Sequence, residues 1–298
     1  LGTVEVRTGH DQFASFDGIA ADPSKRFEYG LGSFDLLREV AGTLAASAGR
    51  GTTLSLLHSL ALPWGTTVVH RAQRSDSRHW ARRGEGGVTV MEGEQRTLPD
   101  VTVRWSGRPL VLGAIFSSVS GSLRWLQVRQ SVTIPVESFL APQTRVSRLS
   151  AIPVTVGATS ASGHLAVSAS YNRTERRDSL PGSVTDTRTE ELTADIARTF
   201  DLPRSWRLPG GLRTRITWQQ SGTQSYVSNL AAVERRSRLT DNGRRVLTLN
   251  AGTDLSGELS FNLQASRVVT FDKNFNRRFT QTLVSAVLNV RFFAGVLR

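Results

Sequence analysis

Apolar and polar residues alternate with a period of two through the second half of this chain. In VSAVLNVRF, Val284, Ala286, Leu288, Val290 and Phe292 take one side, and Ser285, Val287, Asn289 and Arg291 take the other. That is the spacing of a β-strand with one apolar face. The same period recurs upstream. Residues 148–159 place Ile152, Val154, Val156 and Ala158 together, and 163–172 place Leu165, Val167, Ala169 and Tyr171. Residues 188–200 offer Leu192, Ala194, Ile196 and Phe200; 212–220 offer Leu212, Ile216 and Trp218; 244–253 offer Leu247, Leu249 and Ala251. Residues 257–271 align Leu259, Phe261, Leu263, Ala265, Val269 and Phe271. These segments are longer than the ~5 to 6 residues usual in soluble sheets and match the ~9 to 11 that cross a bilayer at a tilt.

The opposite faces carry small hydroxyls, amides and a few charges: Ser168, Ser170, Asp195, Arg213, Arg215, Asn250, Asn262, Gln264, Asn289 and Arg291. A wet lumen has that lining. The expected architecture is therefore an all-β, antiparallel, up-and-down transmembrane β-barrel, present as part of a barrel wall, with long loops and one short helix. Lumen-facing residues are expected to be Asp195, Arg213, Arg215, Asn262, Gln264, Asn289 and Arg291. Lipid-facing residues are expected to be Leu165, Val167, Ile196, Ile216, Trp218, Leu249, Leu259, Phe261, Leu263, Leu288, Val290 and Phe292. On the apolar faces the charges sit toward strand ends, with Arg267 placed near a membrane interface.

Connections suggest an orientation, because barrels of this kind pair short periplasmic turns with long external loops. Residues 159–163 and 254–257 read as tight turns on the side of the C-terminus, with 201–211 intermediate, whereas 175–187 and 223–243 read as long loops on the opposite side. The pairs Arg176-Arg177, Arg235-Arg236, Arg244-Arg245 and Arg277-Arg278 fall on the long-loop side, where guanidinium groups suit lipid phosphate.

The first half is less regular. Residues 53–73 predict a hairpin around Pro63-Trp64-Gly65, 33–49 space Phe34, Leu37, Val40, Ala41 and Leu44 like a short helix capped by Ser33, and 76–87 read as a polar loop. Residues 101–105 and 122–134 are further strands, and 108–118 fit helix or strand. The domain reading is an irregular, partly helical segment over 1–50 leading into barrel strands over 51–298.

Composition narrows the function classes. The chain has 298 residues, no cysteine and a net charge of +12, and of its 37 basic residues only Lys25 and Lys273 are lysine. No disulfide and no cysteine-held metal is available. The five histidines have no metal-ligand spacing. Glu191 and Asp195 share a strand face four residues apart, too loosely for paired acids, and no glycine-rich phosphate loop or nucleophile elbow occurs. An enzyme is not expected, nor a cofactor. No apolar run approaches the ~20 residues of a membrane-spanning helix, so any crossing is by strands. The chain begins at Leu1, not Met, and reads as a piece of a longer protein.

The segment FDKNFNRRFTQTLVSAVLNVRFFAG (271–295), with RFEYGLGSFDLL (26–37) and RTLPDVTVRW (96–105), resembles the C-terminal end of the SprA/Sov family, the outer-membrane translocons of type IX secretion and gliding motility. The tail departs from the usual barrel pattern of ending on an aromatic, since it runs past Phe292-Phe293 to Arg298. The resemblance implies a very large single-chain barrel in the outer membrane of a Gram-negative bacterium, whose lumen passes folded proteins. The implied partners are outer-membrane lipid, exported cargo, other secretion-system subunits and an N-terminal part of the same chain; no catalytic residue is implied. Two other readings remain open. One is an outer-membrane receptor or lipopolysaccharide-handling barrel. The other is a soluble all-β protein that uses arginine on nucleic acid, which calls for aromatics interleaved with Arg on one face; Trp218 instead opposes Arg213 and Arg215.

Overall fold

The computed structural model describes residues 2–16, 39–40, 43–83, 87–108, 113–134, 143–203, 205, 211–229 and 236–291. The described elements are all β. They are β1 (Gly2–Ser15), β2 (Glu39–Val40), β3 (Thr43–Leu44), β4 (Ser47–Leu62), β5 (Thr66–Arg83), β6 (Gly87–Gly107) and β7 (Phe116–Ile134). There follow β8 (Gln143–Ser160), β9 (Leu165–Leu180), β10 (Ser183–Phe200), β11 (Leu212–Asn229), β12 (Arg236–Asp254), β13 (Leu259–Asp272) and β14 (Arg277–Val290). Twelve of them form one sheet in the order β1-β4-β5-β6-β7-β8-β9-β10-β11-β12-β13-β14, and β2 and β3 pair separately. Every neighbour in the large sheet is antiparallel. This is an up-and-down meander. Among the described residues β1 and β14 do not pair, so the sheet has two open edges.

The hairpin at 63–65 forms as the sequence predicts. Trp64 and Gly65 have φ of 61° and 68°, the left-handed pair that a two-strand reversal of right-handed twist prefers. The oxygen of Ser106 lies only 2.1 Å from where a Cβ would stand on Gly65, so a side chain is excluded there as well.

Several expectations are corrected. Residues 175–187 are not a loop: β9 runs to Leu180, β10 starts at Ser183, and Gly182 with φ 90° closes the turn between them. Likewise β11 extends to Asn229 and β12 begins at Arg236 within the expected loop 223–243. The difference in loop length that oriented the sheet therefore disappears for these two connections. The polar stretch 76–87 is mostly the continuation of β5 to Arg83. Of the helix expected over 33–49, Glu39–Val40 and Thr43–Leu44 are paired strands and Ser47 already opens β4; residues 33–38 lie outside the described residues. Residues 2–15, read from sequence as an irregular lead-in, are a strand paired along its whole length with β4.

β-bulges shift the register between Arg71 and Gln73 on β5 and between Thr97 and Asp100 on β6. Pro99 sits inside the second, where the ladder asks for no N–H. Buried apolar side chains are scarce: among the described residues they are Ala45, Ala48, Trp80 and Val184. The first three form a small cluster with Ala14, Phe16 and Val90. Among the described residues the large sheet has no second large sheet packed on it and no central core. The chain exposes 20784 Å², against roughly 12,400 Å² for a compact globular chain of this mass.

Candidate functional site: the two faces of the sheet

Register sorts every strand into two faces. On one, Asp195 faces Thr217, Arg215 faces Asn250, Gln264 faces Asn250 and Ser285, and Ser260 faces Asn289. Six of the seven residues expected to line a lumen thus share one face with their register partners, and Arg291 follows β14 as an exposed residue. A cleft of about 740 Å³ on this face brings together Arg213, Arg215, Asn262, Gln264, Asn289 and Arg291. A second, of about 590 Å³, is lined by Thr67, Arg104, Ser122, Thr155, Ser170 and Thr193. Hydroxyls bond across strands, as Ser122 and Thr155 do at 2.7 Å.

Three arginines of the polar face are partnered by acids that the sequence reading left unpaired. Arg215 Nε donates to Asp195 Oδ2 at 2.7 Å, and Thr217 Oγ1 donates to the same oxygen at 2.7 Å. Arg213 donates to Asp254 at 2.8 Å. Arg124 grips Asp100 with Nε and Nη2 at 2.7 and 2.9 Å, and Asp100 is buried. These contacts join neighbouring strands, so only the register reveals them; alternation alone assigns each residue a face and no partner.

The opposite face divides along the strands into two bands. Toward the end that carries the 63–65 and 161–164 turns it is apolar. β4 contributes Leu56, Leu60 and Leu62, β8 Ile152, Val154, Val156 and Ala158, and β9 Leu165, Val167 and Ala169. β10 contributes Ile196, β11 Ile216 and Trp218, β12 Leu247 and Leu249, β13 Leu259, Phe261 and Leu263, and β14 Leu288 and Val290. All the residues expected to face lipid lie in this belt except Phe292, which is outside the described residues. The belt is open rather than covered: Val6 is 61 % exposed, Ile216 44 % and Leu288 55 %. The Trp105 ring occupies the space beside Gly121, where a Cβ would come within 2.0 Å of it. His58 and His70 face each other and interrupt the belt on β4 and β5.

Beyond the belt the same face turns charged, and ion pairs replace apolar contacts. Arg173 bonds Glu175, Arg188 bonds Glu190, and Arg78 lies 3.2 Å from Glu92. Tyr171 stands at the boundary, its ring next to the belt and its hydroxyl donating to Glu190 at 3.2 Å. Arg267 faces Leu247, the last belt residue of β12. The Arg-Arg pairs split between faces, because adjacent strand residues point apart. Arg177, Arg245 and Arg278 join the charged band, while Arg176, Arg244 and Arg277 join the polar face; Arg235 is outside the described residues.

No helix among the described residues is long and apolar enough to cross a membrane, and no group of three or more metal-ligating side chains occurs among them.

No family model matches this chain, and no curated protein matches it. Among solved structures, it is similar to the β domain of the Bordetella autotransporter Brka, at 12% identity and a TM-score of 0.26, over 83% of this chain and 91% of that one. At that score the likeness carries no argument, and the reading of the two faces rests on this chain's own geometry.

Proposed function

We propose that this chain forms part of the wall of an outer-membrane β-barrel, with the belt against acyl chains and the polar face against a wet passage that conducts exported protein. One observation carries this reading: an apolar belt across the sheet, interrupted at His58 and His70, is left exposed, while the other face is lined by hydroxyls, amides and ion pairs. In water such a belt is a very large apolar patch, far beyond the few hundred Å² a soluble monomer exposes. In hydrocarbon it is the expected outer surface of a strand-built wall. Among the described residues the twelve strands do not close, which supports a barrel wider than twelve strands, since backbone groups at an open edge cost several kcal/mol each in lipid and need partner strands. Together with the resemblance of residues 271–295 to the SprA/Sov end, this width favours a protein translocon over a narrower receptor.

The chain has no cysteine, so single cysteines report each face cleanly. In outer-membrane vesicles, Asn262→Cys should react with a water-soluble maleimide and also with one linked to a protein-sized polymer. Leu249→Cys should react with neither, yet react with a membrane-permeant reagent. Equal labelling of both positions by the soluble reagent would sink the membrane reading. Exclusion of the polymer alone would leave a barrel too narrow for folded cargo.

A further inference from the structure

Five arginines stand in one unbroken row across the charged band. Arg74 faces Arg96, Arg96 faces Arg129, Arg129 faces Arg148, and Arg148 faces Arg177, each pair directly opposite on neighbouring strands from β5 to β9. At about 4.8 Å between strands the row spans roughly 19 Å. Like charges placed directly opposite destabilise a sheet, so the arrangement calls for compensation.

The ends of the row have it. Arg74 lies 2.9 Å from Asp76 and 3.3 Å from Glu94, Arg96 also bonds Glu94, and Arg177 lies 3.7 Å from Asp186. The middle does not: Arg129 and Arg148 have no carboxylate within ion-pairing distance among the described residues, and both are exposed. A cleft of about 950 Å³ opens here, lined by Arg96, Arg129, Arg148, Arg177 and Arg188 against the two acids Glu175 and Asp186.

Its depth is informative. On β7 the belt ends at Trp125 and Arg129 follows on the same face; on β8 it ends at Ile152 and Arg148 follows. Four residues are about 13 Å along a strand, so Arg129 and Arg148 stand beyond the last belt residues of their strands rather than among them.

We propose that this row docks the phosphates of lipid headgroups in the leaflet on the charged side of the wall. The proposal rests on the membrane-wall reading above and adds to it a specific lipid contact. Guanidinium forks take phosphate oxygens two at a time, and a row of them meets a headgroup bearing more than one phosphate better than separate charges do. The anion supplies the missing compensation between Arg129 and Arg148. It would hold the lipid to β7 and β8 without involving the polar face.

The test uses the whole chain in nanodiscs of zwitterionic phospholipid, with bis-phosphorylated lipid A as probe. Dephosphorylated lipid A, inorganic phosphate and a short DNA duplex serve as comparisons. The wild type should bind the bis-phosphorylated lipid at least about tenfold more tightly than the dephosphorylated one, and Arg129→Gln/Arg148→Gln should lose at least about tenfold. Arg129→Lys/Arg148→Lys should fall between, because charge remains and the fork is lost. Vesicle flotation and strand content by circular dichroism should be unchanged in both variants. Equal lipid binding by the wild type and the Gln variant overturns the proposal. So does indifference to the phosphates, saturation by inorganic phosphate at the same concentration, or DNA binding of equal strength. If the wild type itself does not float with vesicles, the membrane-wall reading falls and this one with it.

Discussion

Asp100 on β6 and Arg124 on β7 form a two-bond fork at 2.7 and 2.9 Å, with the carboxylate side chain only 7% exposed. The fork sits beside the β6 bulge, where the ladder has lost a regular pair, and it closes the gap between those strands. Breaking such a pair from one side leaves a buried charge without its partner. Arg124→Ala should therefore cost about 3 kcal/mol in urea unfolding from lipid vesicles, and Asp100→Asn/Arg124→Gln should recover a good part of it. Equal losses in both variants would mean that the fork is ornamental.

Neighbouring residues on β12 give a sharper test of the two faces. Leu249 is in the belt and faces Ile216, while Thr248 faces Thr217 on the polar side. In lipid, Leu249→Arg should cost about 2 to 4 kcal/mol, and Thr248→Arg should cost less than about 1. Unfolding titrations of the two variants read the difference directly. In detergent-free buffer the contrast should not be measurable, because the chain should not remain dispersed.

Gly121 belongs to the ring of Trp105. With a Cβ only 2.0 Å from that ring, Gly121→Ala must push the indole off the strand. A loss of about 1 to 3 kcal/mol is expected, the usual range for overpacking. Trp105 fluorescence, isolated by replacing the other tryptophans with phenylalanine, should shift as the ring leaves its seat.

Asp178, near the far end of β9, makes stability depend on acid. Burial alone would raise its pKa, but hydrogen bonds from Ser147 and Arg176 and the charges of Arg176 and Arg145 hold it below the ordinary 3.8. A depressed folded-state pKa stabilises fully above the unfolded value and loses that contribution as pH falls through the folded one. Unfolding midpoints should therefore drop as pH is lowered below about 4. Asp178→Asn should start lower at neutral pH and show a flatter slope in that window.

The sequence made the belt half of each late strand legible because one face there is apolar and the other is not. Leu165, Val167, Ala169 and Tyr171 announce β9 for that reason. Its continuation does not: Arg173, Glu175 and Arg177 alternate with Thr174, Arg176 and Asp178, polar against polar, so the period vanishes although the ladder continues. Cross-strand bonds and ion pairs such as Arg188 to Glu190 hold that half, and they depend on register. The same blindness hid the end of β5, where Trp80 is the one aromatic in a charged run. It also hid the arginine row, whose five members are far apart in sequence and meet only through four successive strand pairings. β1 had a readable signal in Val4 and Val6 flanking Glu5, but one short repeat among polar residues is weak beside the seven late strands.

β6 runs for 21 residues. At about 3.3 Å each it reaches roughly 70 Å, and even leaning at about 45° it would stand close to 50 Å tall where the oily slab is only ~30 Å deep. On the membrane-wall reading, such a wall would be a palisade rising well clear of the bilayer on its charged side. Whatever passes along it would emerge above the lipid surface rather than level with it.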